Sequence, residues 1–397
     1  MTDHKPSINV DKVQLLCLGM RSKGIKAALI TQTHNYSWLT DGGRSWVGLA
    51  TENATAVQLL IVDSEPTKVI ALTNSIEAER VKAEEGACVE GGLQFEVVEI
   101  PWHDPAAGSK RQEAIDAHTG GAKVESDAPN SALSQLLDAS LTPTLSDDEI
   151  ARYRALGRDC GRVIEHVART FPKGATEAEI AGMLASGLVS LGIDTTVLLV
   201  AADTRLENPR FRHPLPTTGS RAERKCMLVI GGRRHGLICS CTRVVAFADA
   251  TPDPARLRLA SAHMAACTAE VAALQTVGGS GGEEAREAGA VFAAMAAAYA
   301  KGGFEGEWKL HHQGGLTGFK ARYWRAMPGA KELVQGRQAV AFNPSCQGSK
   351  SEDTFLILPS QSGPGLIAEC LTVSPSWPTL EVTWEGLTLP RYDILYR

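Results

Sequence analysis

The sequence predicts an α+β protein in two domains, and three observations carry the prediction. Short apolar strands alternate with helices over the first third of the chain. A capped amphipathic helix opens the remainder near residue 140. From there the order runs helix, helix, strand, hairpin, helix, helix, strand, strand, with no repeat of fixed period. At 397 residues the chain is long enough for two full cores.

In the first part, KAALITQ (Lys26 to Gln32) is an apolar run of strand length. It leads into HNYSWLTDGGRSW, which reads as a loop rich in aromatic and turn residues. AVQLLIVD (Ala56 to Asp63) and KVIALTN (Lys68 to Asn74) are buried-type strands around the turn SEPT. SIEAERVKAEE has helical periodicity and FEVVEIPW is a further strand, so the order β-turn-β-α-β predicts a mixed sheet flanked by helices. The polar stretch from Asp104 to Asn130 looks least structured, with room for a helix around Lys110 to Ala117.

The second part begins at LSDDEIARYRALGRDCGRVIEHVARTF, where Ser146 and Glu149 form a capping-box pattern. Thr176 and Glu179 repeat that pattern ahead of a second helix stopped by Gly192. TVLLVAAD is a strand, and CMLVIGGRRHGLICSCTRVVAF folds as a hairpin about GGRRHG. Two Ala-rich helices, PARLRLASAHMAACTAEVAALQTV and EEAREAGAVFAAMAAAYAKGG, flank GGSGG (Gly278 to Gly282). That glycine run joins helix to helix and precedes no Gly-Lys-Ser/Thr, so it reads as a turn and not as a phosphate loop. Strands around RQAVAFNPS and TFLILP close the domain. The boundaries are thus 1–140 and 141–397.

Composition narrows the function classes. With 44% apolar and 21% charged residues the chain is an ordinary globular protein. A net charge of −5 and a pI near 6.1 argue against nucleic acid or an anionic membrane as partner. No apolar run spans a bilayer, and MTDHKPSINVDK lacks the order of a signal peptide, so the expectation is cytoplasmic. The nine cysteines include no C-x-x-C pair and read as small buried residues.

The ordered series SDDEIARYRAL, GATEAEIA, FRHPLP, TRVVAF, HHQGGLTGF, FNP and SEDTFLI resembles the creatinase / Xaa-Pro aminopeptidase family. KAALITQTHNYSWLTD is similar to that family's smaller N-terminal domain. The resemblance covers nearly the whole chain. It implies a pita-bread C-terminal domain preceded by a smaller α/β creatinase-type domain, and a homodimer.

Hydrolytic members of that family hold two metal ions with two Asp, one His and two Glu, since hard cations want oxygen ligands and bridging carboxylates hold two ions about one water. Carried over position by position, the first Asp falls among Ile230, Gly231 and Gly232, and the second falls on Ser240. The His matches His312, with His311 a near alternative. The first Glu becomes Asn343 and the last matches Glu352. The resemblance therefore implies a chain without resident metal or cofactor, because two ligands are too few. Cys239 and Cys241 flank Ser240 and share the opposite strand face, so they read as structural.

Creatinases cleave a C–N bond without metal, and their essential His matches His213 in FRHPLP. A neutral imidazole can take a proton from water and return it to a leaving nitrogen. Their substrate-clamping Glu falls on Thr242, and Asn343 replaces another carboxylate, which argues against a guanidinium substrate. Arg322 and Arg44 would turn the pocket toward an anionic substrate, and Trp46 shares with Arg44 the small-domain GGRSW loop that in creatinase dimers reaches the partner's active site. The expectation is a metal-independent hydrolase of a small amino-acid-like or carboxylate-bearing molecule. His213, His312 and Glu352 would be catalytic, and Arg322, Thr242, Asn343, Arg44 and Trp46 would bind substrate. Two alternatives stay open: a non-catalytic pita-bread module that binds a peptide or protein, and an Xaa-Pro metallopeptidase.

Overall fold

The apolar runs of the first part pair into one five-stranded mixed sheet in the order Gln94–Ile100, Lys68–Asn74, Val57–Val62, Ala27–Ile30, Val124–Ser126. Its inner pairs are antiparallel and its two outer pairs parallel. The computed structural model describes residues 4–53, 56–85, 93–278, 285–361 and 365–397. The chain divides into two compact units. The first comprises Met1–Thr144 with His235–Leu237, and the second Leu145–Arg234 with Ile238–Arg397.

Two readings of the first part are corrected. The segment read as a loop after Lys26 to Gln32 contains the helix Thr33–Leu39. No side chain near its start announces it. Its capping group is Asp127, whose carboxylate accepts from the Thr31 backbone N–H (2.7 Å), the Thr31 hydroxyl (2.7 Å), the Gln32 N–H (3.1 Å) and Asn35 Nδ2 (2.8 Å). A cap supplied from 95 residues away leaves no local signature. The polar stretch after Asp104 is also more regular than it looks. It holds the helix Ala107–Thr119, ended by Gly120 at φ +61°, and then the edge strand Val124–Ser126.

The second unit opens with the helices Asp147–Thr170 and Glu177–Val189. Ser146 and Thr176 both form complete capping boxes, as their sequences predict. A four-stranded sheet follows, ordered Leu395–Tyr396, Leu237–Ala246, Lys225–Arg234, Asp194–Ala202. The hairpin turns at His235 and Gly236, both at positive φ (50° and 77°), the backbone that a two-residue turn between twisted strands requires. The helix Asp253–Gly278 packs against Ala288–Lys301, and the core here gathers Ala272, Val291, Met295, Tyr299, Val340 and Phe355. The second Ala-rich helix starts later than its composition suggests. Ala285–Glu287 instead forms a short strand paired with Leu333–Gln335. Most of GGSGG lies outside the described residues. Among the described residues no helix is long and apolar enough to cross a membrane.

A second five-stranded sheet carries several of the candidate residues. Its order is Trp324–Arg325, Gly314–Thr317, Gln338–Phe342, Asp353–Pro359, Leu366–Cys370, with every neighbouring pair antiparallel.

Candidate active site

Register decides which residues meet. Gly314 pairs with Phe342 and Phe342 with Asp353, so the residues one step beyond, Gln313, Asn343 and Glu352, share one end of three adjacent strands. The Asn343 N–H donates to Gln313 O at 3.3 Å. The strands approach closely because Gly314 lies at φ +97° and a Cβ there would meet Ala341 O at 2.1 Å. The hairpin strand Leu237–Ala246 closes over the same end. Thr242 N–H donates to Glu352 O (2.9 Å), Ser240 N–H donates to Thr354 Oγ1 (2.8 Å), and that hydroxyl returns a bond to Ser240 O (2.9 Å).

Glu352 is buried and doubly engaged. Its Oε2 accepts from Thr242 Oγ1 at 2.6 Å and from Lys350 Nζ at 2.6 Å. Burial by itself raises a carboxyl pKa. Here Lys350, Thr242 and, more weakly, Arg322 outweigh it and hold Glu352 below its ordinary value. Lys350 is the residue that sequence reasoning missed. The signal was available, since side chains two apart on an extended segment share a face, which sets Lys350 beside Glu352.

Three histidines stand together. The ring of His213 lies 5.7 Å from that of His312 and 6.1 Å from that of His311, and the last two are 6.2 Å apart. His312 Nδ1 accepts the Gly314 N–H at 3.3 Å, so the neutral ring carries its proton on Nε2. His311 is spent on structure. Its Nδ1–H donates to the His312 carbonyl (2.6 Å) and its Nε2 accepts from Ser345 Oγ (2.6 Å). Ser345 Oγ also accepts from Arg212 Nη1 (3.0 Å), and Arg212 is anchored on Glu307 (2.7 Å). Burial, with Lys350 next, drives His311 down to about 3. Burial, with Arg322 and Arg325 next, drives His312 down to about 4. His213 is also lowered, by burial and then Lys350, against the opposing pull of Glu352. All three rings are therefore neutral at pH 7, and His213 is the one whose ring nitrogens hold no protein hydrogen bond among the described residues.

Arg322 belongs to this group, for its charge reaches both Glu352 and His312. Its Nη1 donates to Ala321 O (2.6 Å), while its Nε is buried without a hydrogen-bond partner, as is Asn343 Oδ1. Arg322 also lines a cavity of about 360 Å³ with Tyr323, Trp324, Arg325 and Met327. A larger open groove of about 930 Å³, between the helices Asp147–Thr170 and Glu177–Val189, is mostly apolar and holds none of the candidate residues. Polar atoms that converge, more than volume, locate the chemistry.

The first unit holds Arg44 and Trp46. The Arg44 guanidinium is paired with Glu85 (2.8 Å) and Trp46 is buried. Cys239 and Cys241 are buried too. Their thiols are pushed up, Cys239 by a hydrogen bond with Cys160 and by burial, Cys241 by burial, which makes both inert. Behind Glu352 lies a buried ion network. Asp353 pairs with Arg243 (3.0 Å) and Arg391, Arg391 pairs with Glu270 (2.8 Å), and Glu270 accepts from Ser351 Oγ (2.5 Å) and Asp353 N–H (3.0 Å). Burial pushes the Glu270 carboxyl up to about 7 against the pull of Arg391, and the network fixes the segment 351–353 on which Glu352 rides. Among the described residues no group of three or more His, Cys, Asp or Glu is placed to hold a metal ion.

No family model and no curated protein sequence matches the chain. Solved structures do. A dipeptidase from Pyrococcus horikoshii superposes with a TM-score of 0.70 at 16% identity, over 97% of this chain and 100% of that one. The dipeptidase PepE from Mycobacterium ulcerans gives 0.68 at 16% identity, over 97% of each chain. The N-terminal domain of a FACT complex subunit from chickpea (Cicer arietinum) gives 0.64 at 12% identity, over 93% and 98%. The chain has the pita-bread fold. That fold houses peptidases and a domain of a FACT complex subunit alike, so the function must be argued from the site.

Proposed function

We propose that the chain is a metal-independent hydrolase that cleaves a C–N bond in a small, carboxylate-bearing molecule. The observation that carries the reading is the placement of neutral His213, whose ring nitrogens are free of protein hydrogen bonds among the described residues, with its ring 5.7 Å from that of His312, in a site whose carboxylate Glu352 is already paired with Lys350. In this reading His213 takes a proton from water as the oxygen attacks the electrophilic carbon, then delivers it to the departing nitrogen as the C–N bond breaks. His312 offers Nε2–H to the developing negative oxygen. The buried Nε of Arg322 and Oδ1 of Asn343 are a donor and an acceptor that a bound substrate satisfies. With the Lys350–Glu352 and Arg212–Glu307 pairs each internally balanced, Arg322 leaves the pocket positive and favours an anionic ligand. Arg44 is assigned a lesser part, since Glu85 already holds its guanidinium.

A second reading is a non-catalytic peptide- or protein-binding module. It is favoured by the FACT-subunit domain, which shares this fold. A screen of small amides, amidines and N-acyl amino acids, run with the wild type and with His213→Ala, separates the two. The enzyme reading expects turnover that falls about 10²–10⁴-fold in the variant at unchanged thermal stability. A screen without turnover in a chain that binds peptide favours the module.

A further inference from the structure

The charges of the Lys350–Glu352 pair both reach His213, and each side chain is only 4% exposed. A lysine ammonium is compact and strongly hydrated, so burying it is costly unless a carboxylate and good geometry compensate. Both conditions hold, for the contact is 2.6 Å and Thr242 Oγ1 completes the same oxygen at 2.6 Å. A divalent metal needs those lone pairs at about 2.0–2.3 Å and so competes directly with the ammonium. The neighbouring nitrogens are engaged as well. His312 accepts the Gly314 N–H on Nδ1, which puts the proton on Nε2, while His311 uses both nitrogens on His312 O and Ser345. Apart from the His213 ring and Asn343 Oδ1, which carry no charge between them, the donors a metal could recruit here are hydrogen-bonded, protonated or ion-paired, so the residues do not fit the carboxylate-rich metal centre that the creatinase / aminopeptidase resemblance calls up.

We infer that Lys350 is the resident cation of this site: its ammonium occupies the Glu352 oxygen at 2.6 Å and closes the pocket to a divalent metal. The inference deepens the metal-free reading above, yet its test needs no turnover, so a chain that proves catalytically silent can still pass it.

The test is Zn²⁺ binding to the purified full chain by titration calorimetry. Wild type and Lys350→Arg, which keep the charge, are expected to bind weakly and alike. Lys350→Gln releases Glu352 and is expected to bind at least about tenfold tighter. The further change Glu352→Gln should remove that gain. If Lys350→Gln leaves Glu352 too poorly compensated to fold, zinc present during refolding restores the fold under this account. Tight zinc binding by wild type that Glu352→Gln abolishes overturns the inference. So does a folded Lys350→Gln that binds no better than wild type, or an unfolded one that zinc does not rescue.

Discussion

At the scale of single residues, His213 and Arg322 make separable contributions. Burial and Lys350 lower the His213 pKa below its ordinary value of 6.5, so its basic form persists into mildly acidic solution. Turnover that depends on neutral His213 should hold through pH 6.5 and fall only below it. A pH profile of kcat/KM whose acid limb sits above 6.5 contradicts the assignment. Arg322→Met removes the donor whose Nε has no protein partner, and is expected to raise KM about tenfold or more for an anionic substrate with little change in kcat. An effect on kcat alone would place Arg322 elsewhere in the reaction. His213, His312 and Glu352 could be read from short motifs because each sits in a recognisable local pattern. The part Lys350 plays was less legible, since an exposed, solvated lysine is the ordinary expectation and only its burial reveals the pairing.

Elements depend on long-range partners that no window of sequence contains. The helix Thr33–Leu39 is the clearest case, since Asp127 supplies its cap and also binds Thr31 and Asn35. Asp127→Ala strands several buried donors and should cost on the order of 3 kcal/mol, measured by chemical denaturation. A loss below about 0.5 kcal/mol would show the helix to be held by packing alone. By contrast, the helices after Ser146 and Thr176 could be read directly, because both halves of each capping box lie within four residues. In the second five-stranded sheet, the register of Gly314, Phe342 and Asp353 rests on a backbone approach that a methyl group blocks. Gly314→Ala should therefore displace His312 and lower activity even where the protein stays folded. Crystallography of that variant checks the displacement, and an unmoved His312 refutes the argument.

For the whole molecule, the half-buried neutral histidines of the site tie stability to pH. His311 and His312 fall to about 3 and about 4 in the folded chain, against an ordinary 6.5. The unfolded chain therefore binds more protons below pH 6.5. Their contribution is complete above that value and is lost progressively as pH falls toward 4 and then 3. Melting temperatures at pH 7.5 and 4.5 should show this loss, and His311→Gln combined with His312→Gln should lessen it. An equal pH dependence in that variant contradicts the assignment. The fold class was legible because the order of helices, hairpin and strands is written in short segments spread along the whole chain. The function was not, since the same fold serves peptidases and a FACT-subunit domain. The measurement that tests the central claim most directly is elemental mass spectrometry of the purified chain, paired with activity before and after chelation. The account predicts metal far below one equivalent and turnover indifferent to chelator. One or two equivalents of zinc, manganese, iron or cobalt, removed together with activity, would contradict it.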